Sequence, residues 1–589
     1  MTEGLLVANG VDVLTGDYLL PPMPVDQVAR LAMSGAPDRS SAAALAARHR
    51  RATERVYAPK QGVDPRDLAQ TGWGVVFAEH ADPRIRSRLT PLLERRREQA
   101  AAVVERRYRQ FTGADGYRAG ESKQEFLSRH GAGPGPVDPD VVPYYLLLVG
   151  GPDEIPFEVQ YQLDVQHAVG RIAFDDLDGY GRYAQNVVAA EQRSPAHVAP
   201  RLAFFAARHD GDLATTLSAE QLVLPLATEL AAGSWDVGSM VGPAASKRAL
   251  SGLLAGTDRP EVLFTATHGV GLPVGHPDQR QVQGGLVCQD WPGPGSGPLG
   301  PEYWFAGTDL PECDLIGLVV VLFACFGAGT PSHDDFGHAR TGQRELAPRP
   351  FVAALPQALL GRDGGAMAVI GHVNRALGYS FVWPGVGRQT EVYRSTLAEL
   401  DAGQPIGSAM EYLGDRYAEL ATELRTTLDE VELGRRADNA YLSGLWSAYT
   451  DARGFVLLGD PAVRLIRAST PVDRAATRSA PITITAGRTA PATGAEQAPL
   501  RPARADPIEV ATYVTDDPAG VAYDPQSGRI TGARLQLFSS VDVDGTAAHV
   551  VTTRSTGDDA DPVVADLHLR LVQLSVAARQ AYQKTSRRH

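Results

Sequence analysis

The sequence is poor in cysteine, carries no excess of positive charge and contains no long apolar run. Its 589 residues include three cysteines, Cys288, Cys313 and Cys325. Three thiols cannot all pair and are too few for a disulfide framework, so a reducing, cytoplasmic location is expected. The formal net charge of −13 argues against nucleic acid as a partner, because nucleic-acid binding needs a basic surface.

Signals for membranes and secretion are missing as well. No stretch approaches about 18 uncharged apolar residues, so no membrane-spanning helix is predicted. The first residues lack the basic region and the long apolar core of a secretory signal. The chain therefore has the composition of an acidic globular protein, long enough for roughly two to four domains with ample core.

Two apolar runs are each followed by a residue with a reactive side chain. Residues 262–267 lead into His268 and Gly269, and residues 315–324 lead into Cys325. Continuous apolar runs of this kind predict buried strands of a parallel sheet. Open α/β sheets place their chemistry beyond the carboxyl ends of such strands. We therefore expect His268 and Cys325 to meet at one sheet edge.

These residue types suit a cysteine hydrolase, and favour a peptidase. Cys325 would attack a carbonyl carbon while His268 takes the proton and returns it to the leaving group. Gly269 permits a tight turn, so the Gly269 and Cys325 N–H groups are predicted to stabilise an oxyanion. No third residue stands out as the group that orients His268. Taken singly, a strand-end cysteine is often only a core residue, and the prediction depends on the two residues jointly.

Several segments resemble the caspase-type fold of the clan CD cysteine peptidases, which includes caspases, legumains, gingipains and bacterial CHAT proteases. Residues 324–327, Ala-Cys-Phe-Gly, are similar to the caspase signature, although Phe323 replaces the caspase glutamine. Gingipain-like peptidases are matched more closely. The matching blocks, in the expected order, are residues 148–156, 169–172, 365–371 and 458–463.

The resemblance implies an α/β fold with a doubly wound, mostly parallel sheet sandwiched by helices. It also implies two side-by-side α/β units, of which only the second carries the active residues. Composition adds a linker and a C-terminal region with strands at 508–514 and 533–538 and an amphipathic helix over 564–582. The predicted divisions are an N-terminal lead-in (1–65), an inactive unit (66–200), a catalytic unit (201–468), a flexible linker (469–507) and a small α+β module (508–589).

Substrate preference is predicted to depend on the loop after the apolar run 202–207. Arg208 would favour an acidic residue before the cut, whereas Asp210 or Asp212 would favour a basic one, and the sequence leaves both open. Gingipain-like enzymes place an aspartate slightly later, where this chain reads Ser-Ala-Glu at 218–220. Tyr379 and Trp383 occupy the place of an aromatic substrate wall in the family, or pack in the ordinary way.

No metal and no cofactor are predicted. His333, Asp334, Asp335 and His338 lie close together, but no cysteine pair at zinc-site spacing accompanies them. The arginine-rich residues 84–108 are predicted to form a helix whose basic cluster, 95–97, is a solvated face.

The resemblance implies a protein or peptide substrate, a regulatory partner protein and a role in bacterial defence or regulated cell death. Two alternatives stay open. One is a catalytically silent binding scaffold with a caspase-like domain, and the other is a non-peptidase cysteine hydrolase or acyltransferase with a deep small-molecule pocket. If Cys325 is an activated thiol, it should be alkylated well ahead of Cys288 and Cys313.

Overall fold

The computed structural model describes residues 5–34, 59–60, 62–194, 199–335, 345–383, 386–436, 438–466, 508–514, 534–541 and 547–554. The chain divides into two units, Met1–Thr477 and Arg478–His589. Each unit is described by itself. Among the described residues, no helix has the length and apolar character needed to cross a bilayer.

A ten-stranded sheet forms the centre of the first unit. Its strands in chain order are β1 (Trp73–Phe77), β2 (Tyr108–Phe111), β3 (Tyr145–Val149), β4 (Ala168–Ile172), β5 (Arg201–Ala206), β6 (Asp236–Val241), β7 (Val262–Ala266), β8 (Val319–Phe323), β9 (Ala368–His372) and β10 (Phe455–Gly459). Their order across the sheet is β2-β1-β3-β4-β10-β9-β8-β7-β5-β6. Every residue of β3, β7 and β8 is buried, as expected for continuous apolar runs inside a parallel sheet.

The sheet reverses direction once. Neighbours from β9 to β6 are parallel, and so are neighbours from β10 to β2, but β10 runs antiparallel to β9. The predicted mostly parallel α/β sheet is therefore confirmed. Strands from both predicted α/β units belong to this one sheet, and their carboxyl ends lie at opposite edges because the two groups run in opposite directions.

Helices flank the sheet. The longer ones are Val25–Ser34, Thr90–Ala100, Leu177–Glu191, Lys247–Ala255, Glu391–Asp401, Glu411–Glu432 and Asn439–Gly454. The shorter ones are Leu68–Thr71, Pro83–Arg88, Lys123–Arg129, Phe157–Leu163, Leu213–Leu217, Leu224–Leu230, Gln279–Val282, Ala354–Leu360 and Ile406–Ala409. The arginine-rich segment predicted as one helix is thus two helices, separated at Leu89.

A second, four-stranded sheet lies beside the carboxyl end of β7. Its strands, in spatial order, are Trp304–Phe305, Leu286–Val287, His268–Gly271 and Gly10–Asp12. Strand pairs also form between Leu5–Leu6 and Met23–Pro24, Gly329–Thr330 and Phe351–Val352, and Val382–Trp383 and Gly387–Arg388. The N-terminal region, predicted as a lead-in, therefore contributes a strand to the sheet that holds His268.

The arginine-rich cluster is not wholly solvated, because Arg96 is buried. Its Nε donates to Asp460 Oδ2 at 2.6 Å, while Trp73 Nε1 donates to Asp460 Oδ1 at 2.9 Å. Asp460 directly follows β10 and is itself fully buried. The prediction of a solvated face was wrong for this residue, and the buried pair ties the helix Thr90–Ala100 to the end of β10.

The second unit contains a three-stranded antiparallel sheet. Its strands are Ile508–Val514, Arg534–Val541 and Ala547–Arg554, paired in that order. The first has the bounds predicted from alternation, and the second begins one residue later than the predicted strand 533–538 and ends three residues later. The predicted linker 469–507 and the predicted helix 564–582 lie outside the described residues.

Candidate active site

His268 and Cys325 leave neighbouring strands at the same level. β7 and β8 are parallel, with Ala266 paired to Phe323, and each reactive residue follows two positions later. The backbones then approach so closely that a Cβ on residue 269 would lie 1.8 Å from the Cys325 carbonyl oxygen. Only Gly269 fits such an approach. Neighbouring parallel strands thus deliver the predicted nucleophile and base to one edge.

A buried carboxylate orients His268. Asp212 Oδ2 lies 2.7 Å from His268 Nε2, and Asp212 also accepts hydrogen bonds from Tyr18 Oη at 2.5 Å and Thr215 Oγ1 at 2.5 Å. Because an ionised carboxylate only accepts, the N–H of a neutral His268 lies at Nε2. Nδ1 has no hydrogen-bond partner within the described residues, so it is the nitrogen left to act as base.

The environment of Asp212 keeps it ionised. Burial raises the pKa of this carboxyl, but the charge of His268 and hydrogen bonds from His268 and Thr215 outweigh burial and lower the pKa well below its usual range. In turn, burial and the neighbouring carboxylate raise the pKa of Tyr18, which therefore stays a hydrogen-bond donor. A fixed negative charge at Asp212 would stabilise an imidazolium at His268 if this residue took up a proton.

Aromatic rings hold the imidazole from two other sides. Trp291 meets the His268 ring edge-on with centroids 5.8 Å apart, and Tyr18 meets it edge-on at 5.7 Å. His268 is fully buried between them. These contacts leave the imidazole little freedom to rotate.

Asp212 was predicted as a substrate-binding residue, and the structure corrects that assignment. Asp212 is 1 % exposed, and its carboxyl group contacts His268 and Tyr18 and accepts a hydrogen bond from the Ala214 N–H at 3.1 Å, in the first turn of the helix Leu213–Leu217. The expectation that His268 lacks an orienting residue was equally wrong. Two features of the sequence could have indicated that Asp212 belongs to the site. It follows the apolar run that forms β5, and an aspartate directly before a helix is a common N-cap residue.

Replacing Asp212 with asparagine should reduce kcat by about 10²- to 10⁴-fold with little change in KM, because an amide permits the wrong imidazole tautomer and supplies no charge. Steady-state cleavage kinetics measure this. Tyr18→Phe is the matched control, since it removes one hydrogen bond to Asp212 but keeps the carboxylate, and should have a much smaller effect. An Asp212→Asn enzyme with wild-type kcat would remove Asp212 from the site.

The other predicted specificity residues lie at the surface or in the neighbouring loops. Arg208 is exposed and forms an ion pair with Glu220, with Nη2 and Oε1 2.9 Å apart, and Asp210 is exposed. Trp383 packs against the apolar cluster that contains Cys325, and Tyr379 belongs to the short turn Gly378–Ser380. Their roles in substrate binding stay predictions.

The two predicted oxyanion donors converge on a carbonyl group of the N-terminal segment. The Gly269 N–H and the Cys325 N–H both donate to the Asn9 carbonyl oxygen, at 2.8 Å and 2.9 Å. Two N–H groups sharing one oxygen form the arrangement that stabilises a tetrahedral oxyanion. A peptide carbonyl thus occupies the predicted hole.

The Cys325 thiol is covered. It is fully buried, and its pKa is raised to about 12 because burial outweighs the charge of Arg375 and the hydrogen bond to Ala376. A buried, protonated thiol reacts slowly with electrophiles, whereas Cys313 is partly exposed. With the N-terminal segment in place, we therefore expect Cys313 to be alkylated ahead of Cys325, the reverse of the order predicted from the sequence.

The two aspartates that follow Cys325 are occupied by ion pairs. Asp334 pairs with Arg375 at 2.5 Å, and Asp335 pairs with Arg453 at 2.5 Å. In the described part of the chain, no group of three or more histidine, cysteine or acidic side chains is arranged to hold a metal ion. His338 lies outside the described residues.

Two solved structures are similar to this chain. A structure titled "Structure of Protease" aligns with a TM-score of 0.38 and 13% identity, covering 80% of this chain and 86% of that chain. The complex of the pro- and mature domains of Porphyromonas gingivalis RgpB aligns with a TM-score of 0.35 and 13% identity, covering 67% and 80%. No protein-family model and no curated protein matches the sequence. Since both TM-scores are low, neither likeness carries an argument about activity.

Proposed function

We propose that this chain is a caspase-like, gingipain-like cysteine endopeptidase. The observation that carries the proposal is the pair of N–H groups, from Gly269 and Cys325, that share one peptide carbonyl oxygen beside the nucleophile. The buried Asp212–His268 pair stands at the same edge of the sheet. A scaffold without activity needs neither the pair of converging N–H groups nor the buried Asp212–His268 hydrogen bond.

The proposed reaction assigns the nucleophile to Cys325 and the base to His268, which follow neighbouring strands. His268 accepts the proton of Cys325, and the thiolate attacks the scissile carbonyl carbon while the two N–H groups stabilise the oxyanion. The C–N bond breaks as the imidazolium returns its proton to the leaving amine, which leaves a thioester. Water, deprotonated by His268, then attacks the thioester to release the acid and restore the thiol.

The backbone near the nucleophile favours peptides over small molecules. Residues 376–378 present both a carbonyl and an N–H to an extended strand, as described below, which is the manner in which sheet edges bind peptides. This argues against an acyltransferase with a deep pocket. From the resemblance, we extend the proposal to a cytoplasmic enzyme that cuts a partner protein in bacterial defence or regulated cell death under the control of a regulatory protein.

A peptide-library assay read by mass spectrometry tests the activity. We expect cleavage that is blocked by a peptide carrying a thiol-reactive electrophile, with the label found on Cys325. Cys313→Ala is the matched control, because it removes a partly exposed thiol away from the site and should leave cleavage unchanged. Absence of both cleavage and labelling at Cys325 would instead indicate a silent scaffold.

A further inference from the structure

The N-terminal segment crosses the site as an extended peptide. Asn9 N–H donates to the Ala376 carbonyl at 3.1 Å, and the Gly378 N–H donates to the Val7 carbonyl at 3.5 Å. Between them, Ala8 forms an antiparallel bridge with Leu377. These bonds place residues 7–9 along the edge 376–378, in the register of a substrate strand whose last carbonyl, that of Asn9, enters the oxyanion hole.

The next residue, Gly10, packs directly against Cys325. A Cβ built on Gly10 would lie 2.9 Å from Cys325 Sγ and 2.9 Å from its Cβ. Side chains larger than a hydrogen are therefore excluded at this position. Beyond it, Gly10–Asp12 continues as a strand parallel to Gly269–Gly271, so the chain is held on both sides of the Asn9–Gly10 bond.

The side chain of Asn9 is enclosed, and its amide nitrogen is hydrogen-bonded while its Oδ1 has no hydrogen-bond partner among the described residues. It is 1 % exposed, and its Nδ2 donates to Ser218 Oγ at 3.4 Å. The Ser218 hydroxyl donates its own proton to the Thr215 carbonyl at 3.2 Å, so it presents lone pairs to residue 9. An amide supplies the donor that this hydroxyl needs, whereas an ionised aspartate would set an acceptor against an acceptor.

We propose that the enzyme cleaves its own Asn9–Gly10 bond, and that Ser218 makes the site selective for asparagine before the cut. The inference rests on the proposed peptidase activity. It names the first substrate as this chain and the preferred substrate class as asparaginyl-glycyl bonds.

The atoms balance with water as the only co-reactant. Cys325 Sγ bonds to the Asn9 carbonyl carbon, the carbon–nitrogen bond to Gly10 breaks, and the Gly10 nitrogen takes the proton from His268. Water then attacks the Asn9 thioester, giving a carboxylate on the released residues 1–9 and a free thiol on Cys325. No oxidant or reductant takes part.

The cut also opens the site. Release of residues 1–9 vacates the edge 376–378 and the oxyanion hole, and it uncovers Cys325. Substrates in trans then find the same hydrogen-bonding groups that held Val7 and Asn9.

Intact-mass measurement and N-terminal sequencing of the full-length chain test the self-cleavage. The wild type should lose residues 1–9 and begin at Gly10, while Cys325→Ala should stay whole. Asn9→Asp and Asn9→Gln should slow the cut by at least about tenfold, because each leaves a buried polar group unpaired or misplaced. Asn439→Gln, at an exposed asparagine, is the matched control and should be cut at the wild-type rate.

Selectivity is measured on the processed protein with peptides of sequence Val-Ala-Xaa-Gly-Val-Asp. Asparagine at Xaa should give a kcat/KM at least about tenfold above aspartate, glutamine or arginine. Ser218→Ala should lower kcat/KM for the asparagine peptide by about five- to tenfold, the effect of one lost hydrogen bond. It should also reduce the ratio of kcat/KM for the asparagine peptide to kcat/KM for the aspartate peptide. Equal rates for all four residues, or a preference for arginine, would overturn the assignment of Ser218.

The experiments distinguish an error about self-cleavage from an error about the peptidase activity itself. If library peptides are cut and Cys325 is labelled but the Asn9–Gly10 bond persists, the self-cleavage is wrong and the peptidase stands. If no peptide is cut, no label reaches Cys325 and the bond persists, both are wrong. As a further readout, alkylation should favour Cys313 before the cut and Cys325 after it.

Discussion

Replacement of Cys325 by alanine should reduce peptide cleavage on the order of 10⁶-fold, the loss typical of removing a catalytic nucleophile. The other groups of the site cannot replace the thiol, because the oxyanion hole and Asp212–His268 form no covalent intermediate. The measurement is kcat in single-turnover conditions with a peptide containing Asn-Gly, and the same variant should retain residues 1–9.

Stability separates this loss from unfolding. Cys325 packs among apolar residues that include Leu6, Ala8 and Trp446, and removal of one buried sulfur should cost about 1 kcal/mol of unfolding free energy. His268→Ala should abolish cleavage nearly as fully, since it removes the proposed base. If Cys325→Ala cleaves peptides at the wild-type rate, the mechanism is refuted.

Replacement of Asp460 by alanine should lower the free energy of unfolding by about 3–5 kcal/mol, because it removes one of the two carboxylates, Asp460 and Glu191, that pair with the buried Arg96. The same carboxylate accepts from Trp73 at 2.9 Å and from the Ala462 N–H at 3.0 Å. The change therefore removes bonds that join β1, the helix Thr90–Ala100 and the chain after β10. Urea unfolding followed by tryptophan fluorescence measures it.

An exposed ion pair provides the control for Asp460. Glu105 and Arg97 lie 2.6 Å apart, with side chains 70% and 61% exposed, so Glu105→Ala should leave the unfolding midpoint almost unchanged. Equal midpoints for the Asp460 and Glu105 variants would mean that the buried pair contributes no more than a surface one.

The sequence predicted those parts of the site that depend on local pattern. The apolar runs before His268 and Cys325 became β7 and β8, and neighbouring parallel strands brought their ends together. The α/β class followed from the same runs. Each of these inferences needed only a few consecutive residues and a general rule for where such strands end.

The features missed depend on contacts between distant residues. The role of Asp212 requires β5 to lie beside β7, an order that the sequence does not encode in any local pattern. Arg96 was assigned to a solvated face because its partner lies 364 positions away. Asn9 was placed in a lead-in, since nothing near it shows that its carbonyl meets the N–H groups of residues 269 and 325.

A strand that belongs to the same chain as the nucleophile sets the kinetic order of the first cut. Backbone hydrogen bonds within the same chain hold this strand at the site, so its occupancy of the site does not fall when the protein is diluted. Self-cleavage is then a first-order event, with one half-life for nanomolar and micromolar solutions alike. A peptide added in solution must displace a segment of the same chain from the site. Residues 7–9 therefore inhibit the intact enzyme until the Asn9–Gly10 bond breaks.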